Sequence, residues 1–497
     1  MPGIVQVMSN LGYSALFASL MLLIALVTPL GLSAQGTTGA ITGTVTDPSG
    51  AVVPGAIVTI RQVDTNGIKT ITTTEAGTYT VTLLQPGNYS VKVEKAGFKS
   101  STQNGIVLVM DQTAVINAQL TVGSQQEVVE VTSTGPVIQT EDSSVGQVID
   151  AQAIQNTPLN GRLSVMGLIA LAPGMQGVGA QDQMATRGLT FAAGTGSRNS
   201  YGGLGVSFDG VINKEVTLQR GEPEIPSLDA LSQFKVISNG AAAEFNEPTQ
   251  VIVVSASGTN AFHGELFEFN RSKGTSAKSY FSGSTPRPPY ERNEYGGNLA
   301  GPILIPKLYN GKDRSFFFFA YEGFKLTQSS PKSTQQPTAL ERTGVFTEIS
   351  TTIKDPTTGL PFSNNTIPTG RLNAVSLALM NKLMPTPTTS GIGTNTFENV
   401  PYTSDVERIS LRADHRFNDN NSIRFTWLRA FYGPNVTVGP DSLQGGVSGD
   451  GEHNSQFILG YTHTFSPTLV MDINGDFFHL PIYRTPQNVN TKWECGR

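Results

Sequence analysis

VERISLRADHRF, residues 406–417, alternates apolar side chains with charged or hydroxylated ones. Successive side chains of a β-strand point to opposite faces, so this alternation predicts a strand with one oily face and one charged face. The apolar members are Ile409, Leu411, Ala413 and Phe417, and the polar members are Arg408, Ser410, Arg412, Asp414 and Arg416. A soluble β-sandwich also buries one face of each strand, so repetition, strand length and loop order must separate the two possibilities.

Three later segments repeat the alternation, each over about ten residues, the length that a tilted strand needs to cross a bilayer. Their apolar rows are Ile423, Phe425 and Trp427, then Phe457, Leu459, Tyr461 and Phe465, then Leu469, Met471, Ile473 and Phe477. In the last segment Asp472, Asn474 and Asp476 occupy the other face. This repetition favours transmembrane β-strands.

Short and long connections alternate in the same region, as in outer-membrane barrels with short periplasmic turns and long extracellular loops. The predicted short connections are residues 418–421, 466–467 and 302–314, and the predicted long loops are residues 271–290, 325–404 and 433–454. With a first strand at residues 262–269, we expect about seven strands before His479.

An aromatic run, Phe316–Phe319 with Tyr321, fits a girdle at the membrane interface. The alternatives are a buried strand of a soluble core and an aggregation-prone segment.

The composition agrees with a mainly β fold. Only 14% of the 497 residues are charged, against about 25% in soluble proteins, and 53 are glycine. The net charge is −5, and basic and aromatic residues do not cluster, so nucleic acid is not an expected partner.

The sequence shows no catalytic, cofactor or metal motif. Cys495 is the single cysteine, which excludes a disulfide framework and a thiolate metal site. None of the five histidines lies in a His-Glu-x-x-His arrangement, and the glycine-rich residues 202–205 are not followed by the lysine of a phosphate loop. We therefore expect no enzyme and no cofactor.

The N-terminus carries an apolar run at residues 15–30, followed by Ser33 and Ala34. This pattern predicts a signal peptide over residues 1–34. The alternative is an uncleaved membrane helix, for which the run is short compared with the roughly 20 residues of a span.

Residues 36–121 contain short strands rich in Val, Ile and Thr, separated by turn signals about every ten residues, which predicts a small β-sandwich. The segment resembles the carboxypeptidase regulatory-like domain, a transthyretin-like sandwich that is not catalytic. The motifs that carry this resemblance are Gly43-Thr44-Val45-Thr46-Asp47, Gly50-Ala51-Val52-Val53-Pro54-Gly55-Ala56, Gly77-Thr78-Tyr79, Leu84-Gln85-Pro86-Gly87-Asn88-Tyr89 and Ala96-Gly97-Phe98.

A linker, residues 122–140, contains the extended stretch Glu127-Val128-Val129-Glu130-Val131-Thr132. This stretch is similar to the acidic-valine segment that precedes the plug in TonB-dependent receptors and pairs with the energy-coupling protein by strand addition. The alternative is an ordinary β-stretch that joins two domains.

Residues 141–258 resemble the plug domain of the same receptors, an α+β unit. The matching motifs are Pro158-Leu159-Asn160-Gly161-Arg162, Leu171-Ala172-Pro173-Gly174, Arg187-Gly188-Leu189, Phe208-Asp209-Gly210-Val211, residues 228–236 and Ala243-Glu244-Phe245. Pro248-Thr249 stands where relatives carry paired glycines, so strand pairing is expected to be disturbed there.

The resemblance implies that Arg187, Gly188, Asp209 and Gly210 belong to the plug that fills the barrel lumen. Their predicted role is to hold and gate the plug, with Arg408, Arg412 and Arg416 as barrel-wall charges within reach of plug charges. Direct contact with the substrate is the alternative.

The barrel region, residues 261–497, resembles the Oar-like branch of TonB-dependent receptors. The motifs are Ser257-Gly258-Thr259-Asn260-Ala261-Phe262-His263-Gly264, Arg292-Asn293-Glu294-Tyr295-Gly296-Gly297, residues 316–323, Arg342-Thr343-Gly344-Val345-Phe346, Asp355-Pro356, Asn365 and Ile367-Pro368.

The resemblance implies an outer-membrane importer that contacts membrane lipid, a TonB-type energy-coupling complex in the periplasm and a large solute. The solute stays open between a carbohydrate, a peptide and a metal chelate. A non-transporting surface or adhesion protein is the alternative, and a secreted carbohydrate-binding sandwich protein is a weaker rival. Because a plugged lumen needs about 22 strands, we also expect this chain to be the N-terminal portion of a longer protein, with only the first part of the antiparallel transmembrane β-barrel.

Overall fold

The computed structural model describes residues 37–123, 128–132, 145–157, 168–169, 171–172, 175–176, 192–193, 204–213, 226–241, 245, 247, 249–277, 287–433, 447–449, 452–466, 469–479, 481 and 484–486. The predicted signal peptide lies outside these residues. Among the described helices, none combines the length and the hydropathy of a membrane span.

The N-terminal unit is a β-sandwich, which confirms the predicted fold class. Its strands are β1 Gly39–Thr46, β2 Ile57–Gln62, β3 Ile68–Thr72, β4 Thr78–Leu84, β5 Gly87–Glu94, β6 Ser100–Leu108, β7 Thr113–Val115, β8 Ala118–Gln119 and β9 Val128–Thr132. One sheet has the order β4-β1-β7, with β8 also paired to β1, and the other has the order β3-β2-β5-β6-β9.

The core of the sandwich lies between these sheets, because buried and partly exposed residues alternate along β1 and β5. Tyr79 and Tyr89 are buried there and donate their hydroxyls to the carbonyls of Ile116 and Gln85, at 2.7 and 2.6 Å. Burial raises the pKa of both phenols, so each hydroxyl keeps the proton that its hydrogen bond requires.

The next unit, the predicted plug, is built on a mixed sheet of five strands with the order β10-β15-β16-β13-β14. β13 runs parallel to β16, and the other pairs are antiparallel. The elements are β10 Val145–Asp150, α1 Ala151–Asn156, β11 Met175–Gln176, β12 Ala192–Ala193, β13 Leu204–Phe208, β14 Val211–Ile212, a 3-10 turn Leu228–Ala230, β15 Leu231–Asn239 and β16 Thr249–Ser255.

β16 is buried along its whole length, since both faces of the plug sheet are covered. On one face Val251 and Val253 join a cluster with Ile154 of α1 and with Leu428 and Ile458 of the barrel wall. The expected disturbance at Pro248-Thr249 is wrong for Thr249, which pairs with Leu204 as the first residue of β16; Pro248 lies outside the described residues.

The third unit contains a seven-stranded antiparallel sheet with the order β17-β18-β21-β22-β23-β25-β26, as the alternation predicted. Its strands and the two small two-stranded sheets beside them, β19-β20 and β24-β27, are β17 His263–Ser272, β18 Tyr290–Pro302, β19 Leu304–Ile305, β20 Tyr309–Asn310, β21 Ser315–Thr334, β22 Thr396–Asn418, β23 Asn421–Tyr432, β24 Val447–Gly449, β25 Glu452–Ser466, β26 Leu469–His479 and β27 Arg484–Pro486.

The two faces of this sheet differ in chemistry. On the outer face, one row of directly paired residues crosses five strands: Phe319, Leu411, Trp427, Phe457 and Phe477. Phe477 is 65% exposed and Leu459, in the neighbouring row, 53% exposed. The inner face carries buried polar residues, including Arg412, Arg424 and Gln456. An apolar outside and a polar inside are the pattern of a membrane barrel, not of a soluble sandwich.

The aromatic girdle prediction is wrong for two of its residues. Phe316 and Phe318 are buried on the inner face, where Phe318 packs against Ala230 of the plug and Ala300 of β18. Phe319 is exposed on the outer face. Consecutive residues of a strand cannot all face lipid, so a continuous aromatic run serves both the lipid surface and the plug contact.

The predicted loop at residues 325–404 is too long at both ends. β21 and β22 pair without interruption from Ser315 opposite His415 to Thr334 opposite Thr396, so only residues 335–395 connect them. The end of β21 and the start of β22 are rich in Ser and Thr, and polar residues of this kind suggest a loop. Thr nevertheless favours a strand where a neighbouring strand pairs with it. The predicted loop at residues 271–290 is also too long, because β17 continues to Ser272 and β18 begins at Tyr290.

The connection between β21 and β22 has structure of its own. It contains α2 Ala374–Leu383 and the 3-10 turns Glu341–Thr343, Ser363–Asn365 and Thr369–Arg371. Arg342 donates to the carbonyls of Met384 and Pro385 just after α2, at 3.1 and 2.7 Å. Arg371 holds Asp355 with two parallel hydrogen bonds of 2.9 Å. These contacts tie the long connection into one folded subdomain.

Candidate functional site

The tip of the β13–β14 hairpin reaches the barrel wall. Its two turn residues, Asp209 and Gly210, have φ values of 47° and 85°, as a type I′ hairpin turn requires. Asp and Gly are residues that adopt such angles at low cost. The local sequence therefore places a carboxylate at the outermost point of the plug sheet.

Asp209 is completely buried and accepts hydrogen bonds from both the plug and the barrel. Its Oδ1 accepts from the backbone N–H of Ser255 at 2.9 Å, and its Oδ2 accepts from Ser255 Oγ at 2.6 Å. Thr426 of β23 donates its hydroxyl to Oδ2 at 2.8 Å. This single carboxylate links two plug strands and one barrel strand.

Arg412 of β22 approaches the same carboxylate from the barrel wall. Its Nη1 lies 3.9 Å from Asp209 Oδ1 and donates to the carbonyl of Ser255 at 2.8 Å. Its Nε and Nη2 donate to the two oxygens of Asp414 at 2.8 and 2.9 Å. Asp414 also accepts from Ser257 Oγ at 2.6 Å. The buried guanidinium thus lies between one plug carboxylate and one barrel carboxylate.

Arg424 of β23 holds the backbone of the hairpin tip. Its Nη2 donates to the carbonyl of Asp209 at 2.6 Å and to Asn474 Oδ1 of β26 at 2.8 Å. Gly210 fits closely here, since a Cβ at this position would lie 3.0 Å from Asn474 Nδ2. Asn474 in turn donates to Asp472 at 2.7 Å. We call Asp209, Ser255, Arg412, Arg424 and Thr426 the plug–wall cluster.

The charge of Asp209 is held by its surroundings. Burial by itself raises the pKa of the carboxyl, but Arg412, Arg424 and the two hydrogen bonds from Ser255 outweigh burial, and the pKa lies below the ordinary value of 3.8. Asp209 is therefore an anion at neutral pH, and the cluster is an ionic contact.

The structure brings together only part of the predicted site. Asp209, Gly210 and Arg412 lie in one cluster, whereas Arg187 and Gly188 lie outside the described residues. Arg408 Nη1 forms an ion pair with Glu322 Oε1 of β21 at 3.7 Å, and Arg416 Nη2 donates to the carbonyl of Asp313 at 2.5 Å. Both contacts therefore lie within the barrel region.

Sequence reasoning missed Arg424, Thr426 and Ser255. A signal for two of them was present, because Arg424 and Thr426 occupy the polar face of β23, between Ile423, Phe425 and Trp427. The partner that they meet was not visible, since Asp209 is 215 residues away from Arg424 in the chain.

Within the predicted coupling segment, Val128–Thr132 forms β9, which pairs in parallel with β6 of the sandwich. Glu127 lies outside the described residues. The sequence predicted an extended segment but not its partner strand.

A cavity of about 310 Å³ lies where the sandwich, the plug and the barrel wall meet. It is lined by Lys69 of the sandwich, Ser257 next to the plug, and Arg412, Asp414 and Asp472 of the barrel, among others. In the described part of the chain, no group of three or more His, Cys, Asp or Glu side chains is placed to hold a metal ion.

Two domain families match the chain. Residues 254–494 match the outer membrane beta barrel domain, and residues 40–121 match the carboxypeptidase regulatory-like domain. The TonB-dependent transporter Oar of Myxococcus xanthus is 26% identical over 297 residues, which cover 56% of this chain and 27% of Oar. This chain thus spans about a quarter of the length of that relative.

Two solved structures are also similar. The siderophore receptor PirA from Acinetobacter baumannii is 13% identical, with a TM-score of 0.37, over 67% of this chain and 40% of PirA. The ferric enterobactin receptor PfeA is 12% identical, with a TM-score of 0.38, over 69% of this chain and 42% of PfeA.

The sheet with an apolar outer face and the two matched domain families define an outer-membrane β-barrel protein with a carboxypeptidase regulatory-like sandwich. The similarity to Oar, a transporter, supports the resemblance to TonB-dependent receptors that the sequence motifs predicted.

Proposed function

We propose that this chain serves energy-coupled uptake of a large solute through a plugged barrel. The observation that carries the proposal is the plug–wall cluster, in which Asp209 at the plug tip is bound to β22 and β23 of the wall. Removing one partner from a buried ion pair costs about 3–5 kcal/mol, because the other charge is left uncompensated. A plug held in this way does not move without external work.

The coupling segment supplies a route for that work. Residues 127–132 precede the plug in the chain and are extended where they are described, as strand addition by a partner requires. The proposed partner is a TonB-type complex in the periplasm. Arg187, Gly188, Asp209 and Gly210 are the proposed gating residues.

The proposal divides the chain as the sequence did: signal peptide 1–34, sandwich 36–121, linker 122–140, plug 141–258 and barrel region 261–497. The apolar outer face contacts membrane lipid, and the folded subdomain at residues 335–395 belongs to the surface that meets the solute. A carbohydrate, a peptide and a metal chelate remain the three solute classes.

Uptake by cells that produce the protein to which this chain belongs tests the proposal. Labelled oligosaccharides, peptides and ferric chelates are offered with and without an uncoupler of the proton-motive force. We expect one class to accumulate, and expect its accumulation to stop with the uncoupler and in Val129→Pro, because proline cannot complete a strand ladder. Val129→Thr, which keeps the strand, is the matched control. Binding of a solute to the cell surface without any energy-dependent accumulation would instead support a surface or adhesion protein.

A further inference from the structure

The coupling segment is already paired. β9 lies at the edge of the second sandwich sheet, and the register of its parallel ladder with β6 runs from Ser100 opposite Val128 to Asn104 opposite Thr132. Strand addition uses the backbone N–H and C=O groups along a strand. β6 therefore occupies one of the two edges that β9 offers to a partner.

β6 itself is anchored to the plug through the turn that follows it. Met110 is fully buried and packs with Ile237, Ile252 and Val254. These residues lie on the face of the plug sheet opposite Val251 and Val253, which face the barrel wall. Its backbone N–H donates to Gln233 Oε1 at 2.7 Å. The end of β6 is thus fixed to β15 and β16.

An ion pair between a buried lysine and a partly exposed aspartate strengthens this contact. Lys235 of β15 is only 3% exposed at its side chain, and its Nζ lies 2.5 Å from Asp111 Oδ2 in the same turn. The lysine is covered because the sandwich lies over it, and the sandwich also supplies a countercharge.

The other end of the sandwich rests on the barrel rim. Asn66 donates to Asp313 at 2.7 Å, Lys69 donates to Thr464 at 3.2 Å, and Asn260 donates its backbone N–H to the carbonyl of Asp64 at 3.0 Å. Two separate attachments hold the sandwich in place, so a strand that pairs with it is fixed relative to both the plug and the wall.

We propose that the sandwich is a clasp for the coupling segment: β6 holds residues 128–132 until they are released to the energy-coupling partner. This inference rests on the proposed function. While β9 remains paired with β6, the force that the energy-coupling partner applies to β9 acts on the anchored sandwich. After release, the same pull passes along residues 133–144 to β10 of the plug sheet. Release of an edge strand leaves the pairings among β1 to β8 in place.

A disulfide across the ladder tests the clasp. Thr102 and Glu130 are direct Cα partners on β6 and β9, and neighbouring strands lie about 5 Å apart, within the Cα separation that a disulfide spans. The variant Thr102→Cys/Glu130→Cys is made in the full chain with Cys495→Ser. Binding of a purified periplasmic domain of a TonB-type protein is measured before and after oxidation.

The matched control is Lys92→Cys/Thr102→Cys, which links β5 to β6 through another direct pair and leaves β9 free. We expect both disulfides to form on oxidation. The β6–β9 disulfide should weaken binding of the periplasmic domain at least tenfold, and reductant should restore it. The β5–β6 disulfide should leave binding unchanged.

Two results would overturn the clasp while the proposed function stands: formation of the control disulfide alone, or full binding to the oxidised β6–β9 variant. If the unmodified chain binds no TonB-type domain although the β6–β9 disulfide forms, energy coupling itself is wrong, and the clasp is rejected with it.

Discussion

At the scale of single residues, Asp209 concentrates the interactions between plug and wall. Few side chains suit its position, because the backbone there has a positive φ and the carboxylate must accept three hydrogen bonds in a fully buried site. Its motif, Phe208-Asp209-Gly210-Val211, was found in the sequence. The hairpin turn follows from the Asp-Gly pair, whereas the binding partners depend on how the plug sits in the barrel.

Asp209→Asn keeps the size of the side chain and removes its charge. We expect the free energy of unfolding to fall by about 1.5–3 kcal/mol, because Arg412 and Arg424 lose the nearby charge of Asp209 while Arg412 keeps its contact with Asp414. Chemical denaturation in detergent measures the change. Asp405→Asn, an exposed carboxylate on β22, is the control and should be nearly neutral. Equal stability of Asp209→Asn and the control would refute an ionic role for Asp209.

The same carboxylate predicts a dependence on pH. The pKa of Asp209 is lower in the folded chain than its ordinary value of 3.8, so its contribution to stability is complete above that value and is lost as the pH falls through the folded-state pKa. The stability difference between the unmodified chain and Asp209→Asn should therefore be large at neutral pH and shrink below about pH 4. A difference that stays constant down to the acid limit would show that Asp209 is not held as an anion.

At the scale of secondary-structure elements, alternation predicted the barrel strands because each has an oily and a polar face. It predicted that Ile409 and Leu411 lie on the outer face of β22 and Arg412 on its inner face, as the structure has them. It could not place the ends of β21 and β22, where Ser and Thr give no apolar period and the partner strand sets the length. Pairing of β9 with β6 was equally hidden, since a short valine-rich strand fits many sheet edges.

Phe457→Lys tests the outer face of the sheet. Phe457 stacks on Trp427, with ring centroids 6.2 Å apart and the ring planes 9° apart. Lysine facing lipid near the middle of a bilayer costs about 2–4 kcal/mol. We expect a lower yield of folded protein in lipid vesicles, read from the heat-modifiable band on gels, while Phe457→Leu should fold nearly as well as the unmodified chain. If Phe457→Lys folds as well as the unmodified chain, this face of the sheet does not contact lipid.

At the scale of the whole molecule, sandwich, plug and barrel sheet form one connected body. The sandwich meets the plug through Met110 and Asp111 and meets the barrel rim through Asn66 and Lys69. The sequence divided these units by composition and motif, but it did not predict the contacts between them. Contacts between units depend on residues far apart in the chain, and no local pattern marks them.

Met110→Ala tests the docking of the sandwich. Deleting a buried methionine side chain costs roughly 2–5 kcal/mol, and here the loss falls on the contact with the plug sheet. We expect faster hydrogen exchange in β15 and β16, measured by mass spectrometry. Val107→Ala, at a β6 residue that is 56% exposed, should leave exchange there unchanged. Matching exchange in the two variants would mean that Met110 does not hold the sandwich to the plug.

The most direct measurement of the central claim fixes the plug to the wall. Asp209→Cys/Thr426→Cys, in the Cys495→Ser background, replaces a direct contact between the hairpin tip and β23 with a reversible disulfide. Accumulation of the solute identified in the uptake experiment is then measured in oxidised and reduced cells. An energy-coupled plug predicts that oxidation abolishes accumulation without removing solute from the cell surface, and that reductant restores it. Equal accumulation with the disulfide closed and open would contradict the account.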